Sequence, residues 1–497
     1  MRTTRIVARD LKSPCQQRVF RIFDGWQKVA SRRSSMRRKE ASYARARESP
    51  QGTRHYDGSD RRSGRDDADI RYPSPSQGRQ FRRGTLSAYV RPERIGGCVL
   101  QNDTAREVGV VDFGDYQFEI YRSGLHGALP KLPVDFRELE SRAHAAMPPW
   151  IVSYVAGGCG NEHTQNVNVS AFERWGLIPR MLVGAVKRDM SVNLFGMRLP
   201  TPLFLCPIGV IGLCAQDGRG DIATATAARK LGVPMIASTL SNAPLEQVAS
   251  EFGETPGFFQ LYTPTDRALA ESLVHRAEAA GFKGIVVTLD TWVTGWRPRD
   301  LNQANFPQLR GHALVNYFSD PVFRASLAKP PEGDVAAAIM KWGTIFGNPL
   351  TWDDLPWLRS LTKLPLIVKG ICHPDDARRA VDAGVDGIYC SNHGGRQANG
   401  GIAAVDLLPD VVKASGNTPV LFDSGIRSGT DVVKALALGA TAVGIGRPYA
   451  YGLALDGVEG IVHVLRCILA EADLLMAVDG YPRIADLRPS ALRRSAD

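Results

Sequence analysis

Residues 391–397 read Ser-Asn-His-Gly-Gly-Arg-Gln and combine two side chains suited to acid substrates. The imidazole of His393 can act as a base near neutral pH, and Arg396 can bind a carboxylate through two parallel hydrogen bonds. Because the two residues are three apart in a glycine-rich loop, they can face one ligand, which a lone histidine would not indicate. The spacing predicts an acid–base site for a small carboxylic acid.

Glycine and arginine recur in two further segments, Asp-Ser-Gly-Ile-Arg at 423–427 and Gly-Ile-Gly-Arg-Pro at 444–448. Taken singly, each glycine fits an ordinary turn and each arginine an exposed charge. Together, after consecutive strands, backbone N–H groups and guanidinium groups form a typical phosphate site. A phosphorylated cofactor or substrate is therefore predicted.

These residues need a scaffold, and the sequence from residue 200 onward indicates one. Short β-branched runs alternate eight times with helical stretches, which is typical of parallel βαβ construction. We predict one (β/α)8 TIM barrel, preceded by a helical approach segment at about 135–175. The predicted strands are 202–207, 234–238, 257–262, 284–290, 364–370, 387–392, 419–423 and 441–446. Helix starts are predicted at Asn242, Thr265, Thr351 and His373.

Reactive groups in such a barrel lie at the carboxyl ends of the strands. All eight predicted strands end in residues that could serve a site. In chain order these are Pro207, Ile208 and Gly209; Ser238; Gln260 and Tyr262; Thr288 and Asp290; Lys369; Ser391, Asn392 and His393; Asp423; and Gly446 with Arg447.

The stretch at about 297–351, between the fourth strand and its helix, is unusually long for a connection. Long connections tend to be functional or mobile loops. We interpret it as a lid that includes a helix around residues 335–342. A passive surface insertion is the alternative.

The charge of the chain is unevenly distributed. Residues 1–108 carry 25 Lys and Arg against 12 Asp and Glu, whereas residues 109–497 carry 36 against 39. A near-neutral body with a basic extension indicates an ordinary soluble catalyst with an appendage. We expect residues 1–108 to be disordered because their aliphatic side chains are sparse. They could be an inert extension or a misassigned start, a contact for nucleic acid or another acidic surface, or an organelle presequence.

The eight cysteines form no Cys-x-x-Cys pair, which argues against a structural zinc site and a disulfide framework. No apolar run approaches the roughly 20 residues needed to cross a bilayer. The sequence therefore predicts a cytoplasmic protein without a metal or a membrane anchor.

Four segments resemble one family, the FMN-dependent 2-hydroxy acid dehydrogenases, which include glycolate oxidase, lactate oxidase and lactate 2-monooxygenase. They are S-N-H-G-G-R-Q at 391–397, F-F-Q-L-Y at 258–262, V-K-G at 368–370 and G-I-G-R-P at 444–448. The resemblance covers about residues 112–490. Within the family, residues 153–158, 290–292, 295–300 and 373–379 are most similar to lactate 2-monooxygenase.

The resemblance implies FMN as cofactor and gives roles to the substrate-facing residues. It makes His393 the catalytic base, oriented by Asp290, and Arg396 with Tyr154 the carboxylate ligands. Tyr262 and Arg297 would also face the substrate. A base of this kind removes a proton while two electrons pass to the flavin, and the nearby carboxylate stabilises the imidazolium that forms.

The resemblance also assigns the residues around FMN. Lys369 would stabilise negative charge on the reduced flavin. The other proposed FMN contacts are Pro207, Ile208, Gly209, Ser238, Gln260, Thr288, Ser391, Asp423, Ser424, Gly425, Arg427, Gly446 and Arg447. For Ser238 and Thr288, ordinary strand packing is the alternative. Two residues depart from the commoner pattern: Leu240 replaces an aromatic residue over the substrate, and Ser424 replaces a glycine in the phosphate loop.

The implied reaction is oxidation of a small L-2-hydroxy acid, with L-lactate and O2 giving acetate, CO2 and water. One alternative is an oxidase that releases pyruvate and H2O2, and another is a lactate dehydrogenase linked to a quinone or a cytochrome. A nucleic-acid-binding protein acting through the basic extension is the alternative from a different class, but we expect no nucleic-acid partner. The resemblance further implies a homo-oligomer, a tetramer or larger.

Overall fold

A computed structural model describes residues 112–495. The predicted basic extension at 1–108 lies outside the described residues. Among residues 112–495 there is no helix long and apolar enough to span a membrane.

Eight parallel strands pair side by side into a closed barrel, so the predicted (β/α)8 fold is confirmed. Each strand overlaps one of the ranges predicted from the sequence. The barrel strands are β4 (Leu203–Leu205), β5 (Met235–Ser238), β6 (Gly257–Leu261), β7 (Ile285–Thr288), β8 (Leu366–Ile371), β9 (Gly387–Cys390), β10 (Val420–Phe422) and β11 (Ala442–Ile445). The last of these, β11, pairs with β4 and closes the ring.

Side chains alternate between the inside of the barrel and the surrounding helices, as the two-residue period of a strand requires. In β5, Ile236 faces the interior cluster, while Met235 and Ala237 belong to the larger core under the helices. A hairpin of β2 (Val192–Leu194) and β3 (Met197–Leu199) adds Leu194 and Leu199 to the interior cluster. The hairpin, which the sequence analysis did not predict, therefore fills the interior from outside the ring.

Helices surround the barrel and precede it. Those of the approach region are α1 (Asp115–Gly124), α2 (Phe136–Ala146), α3 (Pro149–Ala156) and α4 (His163–Ser170). Those between the strands are α5 (Ile211–Cys214), α6 (Gly220–Leu231), α7 (Leu245–Ser250), α8 (Arg267–Ala279), α9 (Pro298–Asn302), α10 (Val315–Phe318), α11 (Pro321–Ala325), α12 (Val335–Ile345), α13 (Leu355–Ser360), α14 (Pro374–Asp382), α15 (Ala404–Ser415) and α16 (Gly429–Ala437). Finally, α17 (Arg447–Val478) is long and breaks at Asp456 and Gly457.

Two of the four predicted helix starts are correct. Thr351 forms a capping box, and the His373 side chain accepts a hydrogen bond from the N–H of Asp375. The predictions at Asn242 and Thr265 were wrong: α7 follows Pro244, and α8 is capped by the Asp266 side chain. The error at Thr265 arose because two adjacent residues can both cap, and only the backbone decides which one does.

The segment 297–351 is folded and packed. It contains α9 to α12 and the 3-10 turn Pro307–Arg310, and the predicted helix is present as Val335–Ile345. Tyr317, Phe323 and Trp342 are buried in it, and the rings of Tyr317 and Trp342 contact edge to face. Because these side chains join the main core, this segment, hereafter the lid segment, has a defined inner face.

Short strands near the two ends of the described chain also pair. β1 (Trp175–Leu177) runs antiparallel to β12 (Leu492–Arg494). In addition, the N–H of Gly114 donates to Asp473 in α17 at 2.8 Å. The segment before the barrel is thus fastened to the segment after it.

Candidate active site

A cleft opens at the carboxyl ends of the barrel strands and holds about 1030 Å³ of space, including the open solvent at its mouth. Most of the predicted site residues line it. These are Tyr154, Pro207, Ile208, Gly209, Tyr262, Arg297, Lys369, His393, Arg396, Asp423, Ser424, Gly425, Arg427, Gly446 and Arg447. Asp290, Ser238, Gln260, Thr288 and Ser391 lie behind this lining.

His393 is held by Asp290. Its Nδ1 lies 2.8 Å from Oδ1 of Asp290, and a carboxylate can only accept, so Nδ1 carries the proton. Nε2 is then the unprotonated nitrogen. The pKa of His393 is lowered, mainly by burial, although Asp290 opposes that effect. At neutral pH the ring is therefore a neutral base.

Asp290 stays ionised. Burial alone would raise its pKa, but the electrostatic attraction and hydrogen bond of the His393 ring, together with the positive charge of Lys369, hold the pKa well below its usual range. The Thr291 hydroxyl also donates to Oδ1, at 3.0 Å. An ionised partner favours the imidazolium that forms when His393 takes a proton.

Lys369 is buried, yet it stays positively charged. Burial lowers its pKa, but Asp290 and Asp423 more than offset this, so the net shift is upward. Nζ lies 3.4 Å from Nδ1 of His393. The chain thus fixes a cation beside the base, on strand β8.

Four side chains from four parts of the chain form a polar group next to the base. The Tyr154 ring, on helix α3, has the guanidinium carbon of Arg396 4.9 Å from its centre and that of Arg297 at 5.8 Å. Arg297 donates to the backbone oxygen of Arg396 at 3.0 Å. Burial raises the pKa of Tyr262, so its hydroxyl keeps its proton. Two cations and two phenols can together bind a carboxylate.

Arg427 and Arg447 form a second cationic region. Burial, reinforced by the charges of Arg396 and Arg427, lowers the pKa of Arg447 to about 9. Burial likewise lowers the pKa of Arg427. Among residues 112–495 the hydrogen-bond partners of the Arg447 guanidinium are three backbone oxygens and the Gln165 side chain, and that of Arg427 is the backbone oxygen of Ile426, so neither is paired with a carboxylate. Desolvated cations without a carboxylate partner fit a phosphate group.

The phosphate loop also shows close backbone packing. Gly425 has φ +102, and a Cβ atom there would lie 2.1 Å from the backbone oxygen of Asn168. At Gly446 a Cβ would meet nothing within 4 Å, so the backbone is open on that side. Open backbone beside two guanidinium groups suits the phosphate of FMN.

Three strand ends form a hydrogen-bonded row behind the lining. Ser238 donates to Oε1 of Gln260 at 3.1 Å, and Nε2 of Gln260 donates to Thr288 at 3.0 Å. In the paired strands, Ser238 lies beside Gln260 and Thr288 beside Lys369. These hydrogen bonds fix the positions of Ser238, Gln260 and Thr288, the side chains that the family resemblance assigns to the flavin ring.

Asp423 connects several strand ends. It accepts hydrogen bonds from Tyr389 at 2.8 Å, from Ser391 at 2.5 Å and from Ser424 at 2.7 Å. The Ser391 hydroxyl also accepts from the N–H of His393 at 3.0 Å. Asp423 and Ser391 therefore position the histidine loop through these hydrogen bonds.

Sequence reasoning missed several lining residues. Leu240 had been noted only as a departure from the family pattern, whereas Phe306, Gln308 and Phe346 of the lid segment had not been singled out at all. No spacing rule could have found them, because only the path of the folded lid segment brings them back to the strand ends. Thr291 follows a predicted residue, and its hydroxyl next to a strand end was a usable signal.

The fold and the cleft define a class of protein, a (β/α)8 barrel with adjoining cationic regions that suit a phosphate group and a carboxylate. The sequence profile of the FMN-dependent dehydrogenases matches residues 143–494. An FMN-dependent alpha-hydroxy acid dehydrogenase, qulF, of Penicillium citrinum is 42% identical over 390 residues, covering 77% of this chain and 96% of the relative. An L-lactate oxidase of Lysinibacillus sphaericus is 41% identical, covering 72% and 92%.

A solved structure gives the same picture. A soluble mutant of the membrane-associated (S)-mandelate dehydrogenase from Pseudomonas putida matches with a TM-score of 0.65 and 34% identity, covering 73% of this chain and 99% of that one. The chain belongs to the FMN-dependent dehydrogenase family. It is an FMN-dependent 2-hydroxy acid oxidoreductase, as the sequence analysis predicted.

Proposed function

We propose that the protein oxidises a small L-2-hydroxy acid, with L-lactate as first candidate, and that the product is retained until O2 has reacted. The main support for oxidation is the neutral His393. Its Nδ1 lies 2.8 Å from Oδ1 of Asp290, and its ring lines the same cleft as Arg396 and Tyr154. A base next to a carboxylate site suits an acid whose hydroxyl is on the adjacent carbon.

Each side chain has a distinct task in this proposal. Arg396 and Tyr154 bind the carboxylate, and Arg297 and Tyr262 orient the hydroxyl-bearing carbon. Nε2 of His393 takes the proton, and Asp290 stabilises the charge that the ring gains. FMN, when bound, would supply the acceptor for two electrons from the acid and the centre at which O2 reacts. Lys369 provides the fixed positive charge on that side of the cleft.

The fate of the product is the finer part of the proposal. With the 2-oxo acid retained, H2O2 formed beside it decarboxylates it, so that lactate and O2 give acetate, CO2 and water. Supporting this outcome, the lid segment adds Phe306, Gln308 and Phe346 to the cleft and is anchored by its own buried core. Closure of this segment over the cleft would slow product release.

The experiment supplies L-lactate and O2 to the FMN-loaded protein and measures acetate, pyruvate and H2O2. Acetate equal to the lactate consumed, with little H2O2, is the expected result. Stoichiometric H2O2 and pyruvate without acetate would contradict product retention but not lactate oxidation. An FMN-loaded protein that no 2-hydroxy acid reduces would contradict the whole proposal.

A second candidate is a simple oxidase that releases pyruvate and H2O2. The observation in its favour is the similarity to the L-lactate oxidase of Lysinibacillus sphaericus. The same measurement separates the two, because only early release leaves pyruvate intact. We further propose a homo-oligomer, following the family resemblance, which light scattering of the purified protein would test.

A further inference from the structure

Besides the contact of Arg297 with the Tyr154 ring, two further contacts join the lid segment to the helix that carries Tyr154. Nε2 of Gln308 donates to the Tyr154 hydroxyl at 3.3 Å. Four residues further on, the His312 ring stacks on Trp150, with ring centres 6.0 Å apart and planes at 18°. Because Trp150 and Tyr154 are also four residues apart, both contacts lie on one face of helix α3.

Gln308 is buried, with 0% of its surface exposed, although it is polar. Its Nε2 bonds to Tyr154, whereas its Oε1 has no hydrogen-bond partner among the described residues. Burying an amide with one atom unpaired costs stability, so such a residue calls for a functional explanation. The polar contact that the structure records for this side chain is directed at Tyr154.

The direction of that hydrogen bond matters for ligand binding. A phenol has one proton to donate, and it can accept a hydrogen bond at the same time. Since Nε2 of Gln308 can only donate, Tyr154 accepts from it and keeps its own proton free for a ligand. The Arg396 guanidinium lies 4.9 Å from the centre of the Tyr154 ring, so a carboxylate bound there can contact both residues.

We propose that Gln308 is a positioning residue that directs the Tyr154 proton toward the substrate carboxylate. Docking of the lid segment and carboxylate binding then favour each other, because coupling between two sites is reciprocal. The inference rests on the proposed role of Tyr154 as a carboxylate ligand. It concerns this chain's own lid residue rather than the reaction itself.

The test measures the binding of oxalate, an unreactive dicarboxylate, to the full-length FMN-loaded protein through the change in flavin absorption. Gln308→Met keeps the length of the side chain and removes the donor. We expect its dissociation constant to rise about tenfold, the effect of losing one hydrogen bond to a charged ligand site. The matched control is Gln303→Met, the same change at an exposed position of the same segment, which should bind oxalate like the wild type.

Two further variants separate positioning from a general packing effect. In a Tyr154→Phe background, Gln308→Met should cause no additional loss, because the hydroxyl through which it acts is gone. Gln308→Glu should bind oxalate more weakly than Gln308→Met at pH 8, because an ionised carboxylate accepts a hydrogen bond from the Tyr154 hydroxyl and repels oxalate. Its affinity for oxalate should recover as the pH falls and the carboxylate takes up a proton. With L-lactate, the KM should rise while the maximal rate of flavin reduction changes little.

The outcomes distinguish this inference from the proposed function. Unchanged oxalate binding in Gln308→Met, or an equal loss with and without the Tyr154 hydroxyl, would overturn the inference while lactate oxidation stands. If oxalate binding depends on Gln308 only when the Tyr154 hydroxyl is present, but the wild type oxidises no hydroxy acid, the inference is supported and the proposed function is overturned. A wild type that binds no oxalate would overturn the role of Tyr154 and the inference with it.

Discussion

His393 and Asp290 lie 103 residues apart in sequence, yet Nδ1 of the first is 2.8 Å from Oδ1 of the second. His393 also has φ +57, a left-handed conformation that is uncommon for residues other than glycine. Strain of this kind is retained where the surrounding structure enforces it, often at functional sites. The hydrogen bond from its N–H to Ser391 is one of the contacts that hold it.

Replacing the base should abolish flavin reduction without loss of the flavin. We expect His393→Ala to bind FMN and remain yellow, while anaerobic reduction by L-lactate slows by about 10²- to 10⁴-fold, the usual contribution of a general base. Stopped-flow absorbance measures the rate. Unchanged reduction kinetics would reject His393 as the base.

The pH dependence follows from the direction of the His393 pKa shift. Burial lowers this pKa below its ordinary value of 6.5, and the base works only when neutral. The rate therefore rises with pH through the lowered pKa, and the acid limb of kcat/KM should lie below pH 6.5. Because Asp290 raises the pKa of His393, Asp290→Asn should move the limb to still lower pH and reduce the plateau. An acid limb well above pH 6.5 in the wild type would contradict this prediction.

Loss of a carboxylate contact should affect binding more than chemistry. Arg396→Ala is expected to raise KM about 10- to 100-fold, the range for hydrogen bonds to charged groups, and Tyr154→Phe by a smaller factor. Steady-state kinetics with L-lactate and the limiting rate of flavin reduction separate the two effects. A fall in the limiting rate at unchanged KM would place these residues elsewhere in the mechanism.

Leu240 should limit the size of the substrate. Its side chain is buried in the cleft lining, and a Cβ atom added at Gly209 would lie 3.2 Å from its Cβ. Leu240→Ala removes this bulk and should raise kcat/KM for mandelate relative to lactate by about 10- to 100-fold. The control is Leu240→Met, which preserves volume. Equal preferences in all three proteins would show that Leu240 does not contact the substrate.

Ser424 occupies a position that glycine would favour, because its φ is +87. Its hydroxyl donates to Asp423 at 2.7 Å and accepts from the N–H of Gly394 at 3.1 Å. Ser424→Ala keeps the backbone strain and loses both hydrogen bonds, so it should destabilise the protein by about 1–3 kcal/mol. Ser424→Gly loses the same two hydrogen bonds but relieves the backbone strain, so it should destabilise the protein less than Ser424→Ala does. Urea denaturation with FMN present compares the two, and the reverse order would contradict this account.

Much of the fold and many site positions could be read from the sequence because both depend on local patterns. Strand ends such as Lys369 and Asp423 follow β-branched runs, and the barrel gathers all such ends at one face. The β2–β3 hairpin was not predicted because each of its strands has three residues, too few to show an alternation of apolar and polar side chains. Its packing into the barrel interior is visible only in the folded structure. Gln308 escaped because its contact with Tyr154 depends on the tertiary path of the lid segment.

The pairing of β1 with β12, together with the bonds from Arg447 to the backbone oxygens of Val155 and Gly157, has a consequence for biosynthesis. Tyr154 emerges from the ribosome long before the residues that fasten its helix to the barrel. The carboxylate region therefore cannot be completed until Arg447 and the residues of β12 have been synthesised. A nascent chain stalled before Arg447 would lack this region even if its early βα units had already collapsed.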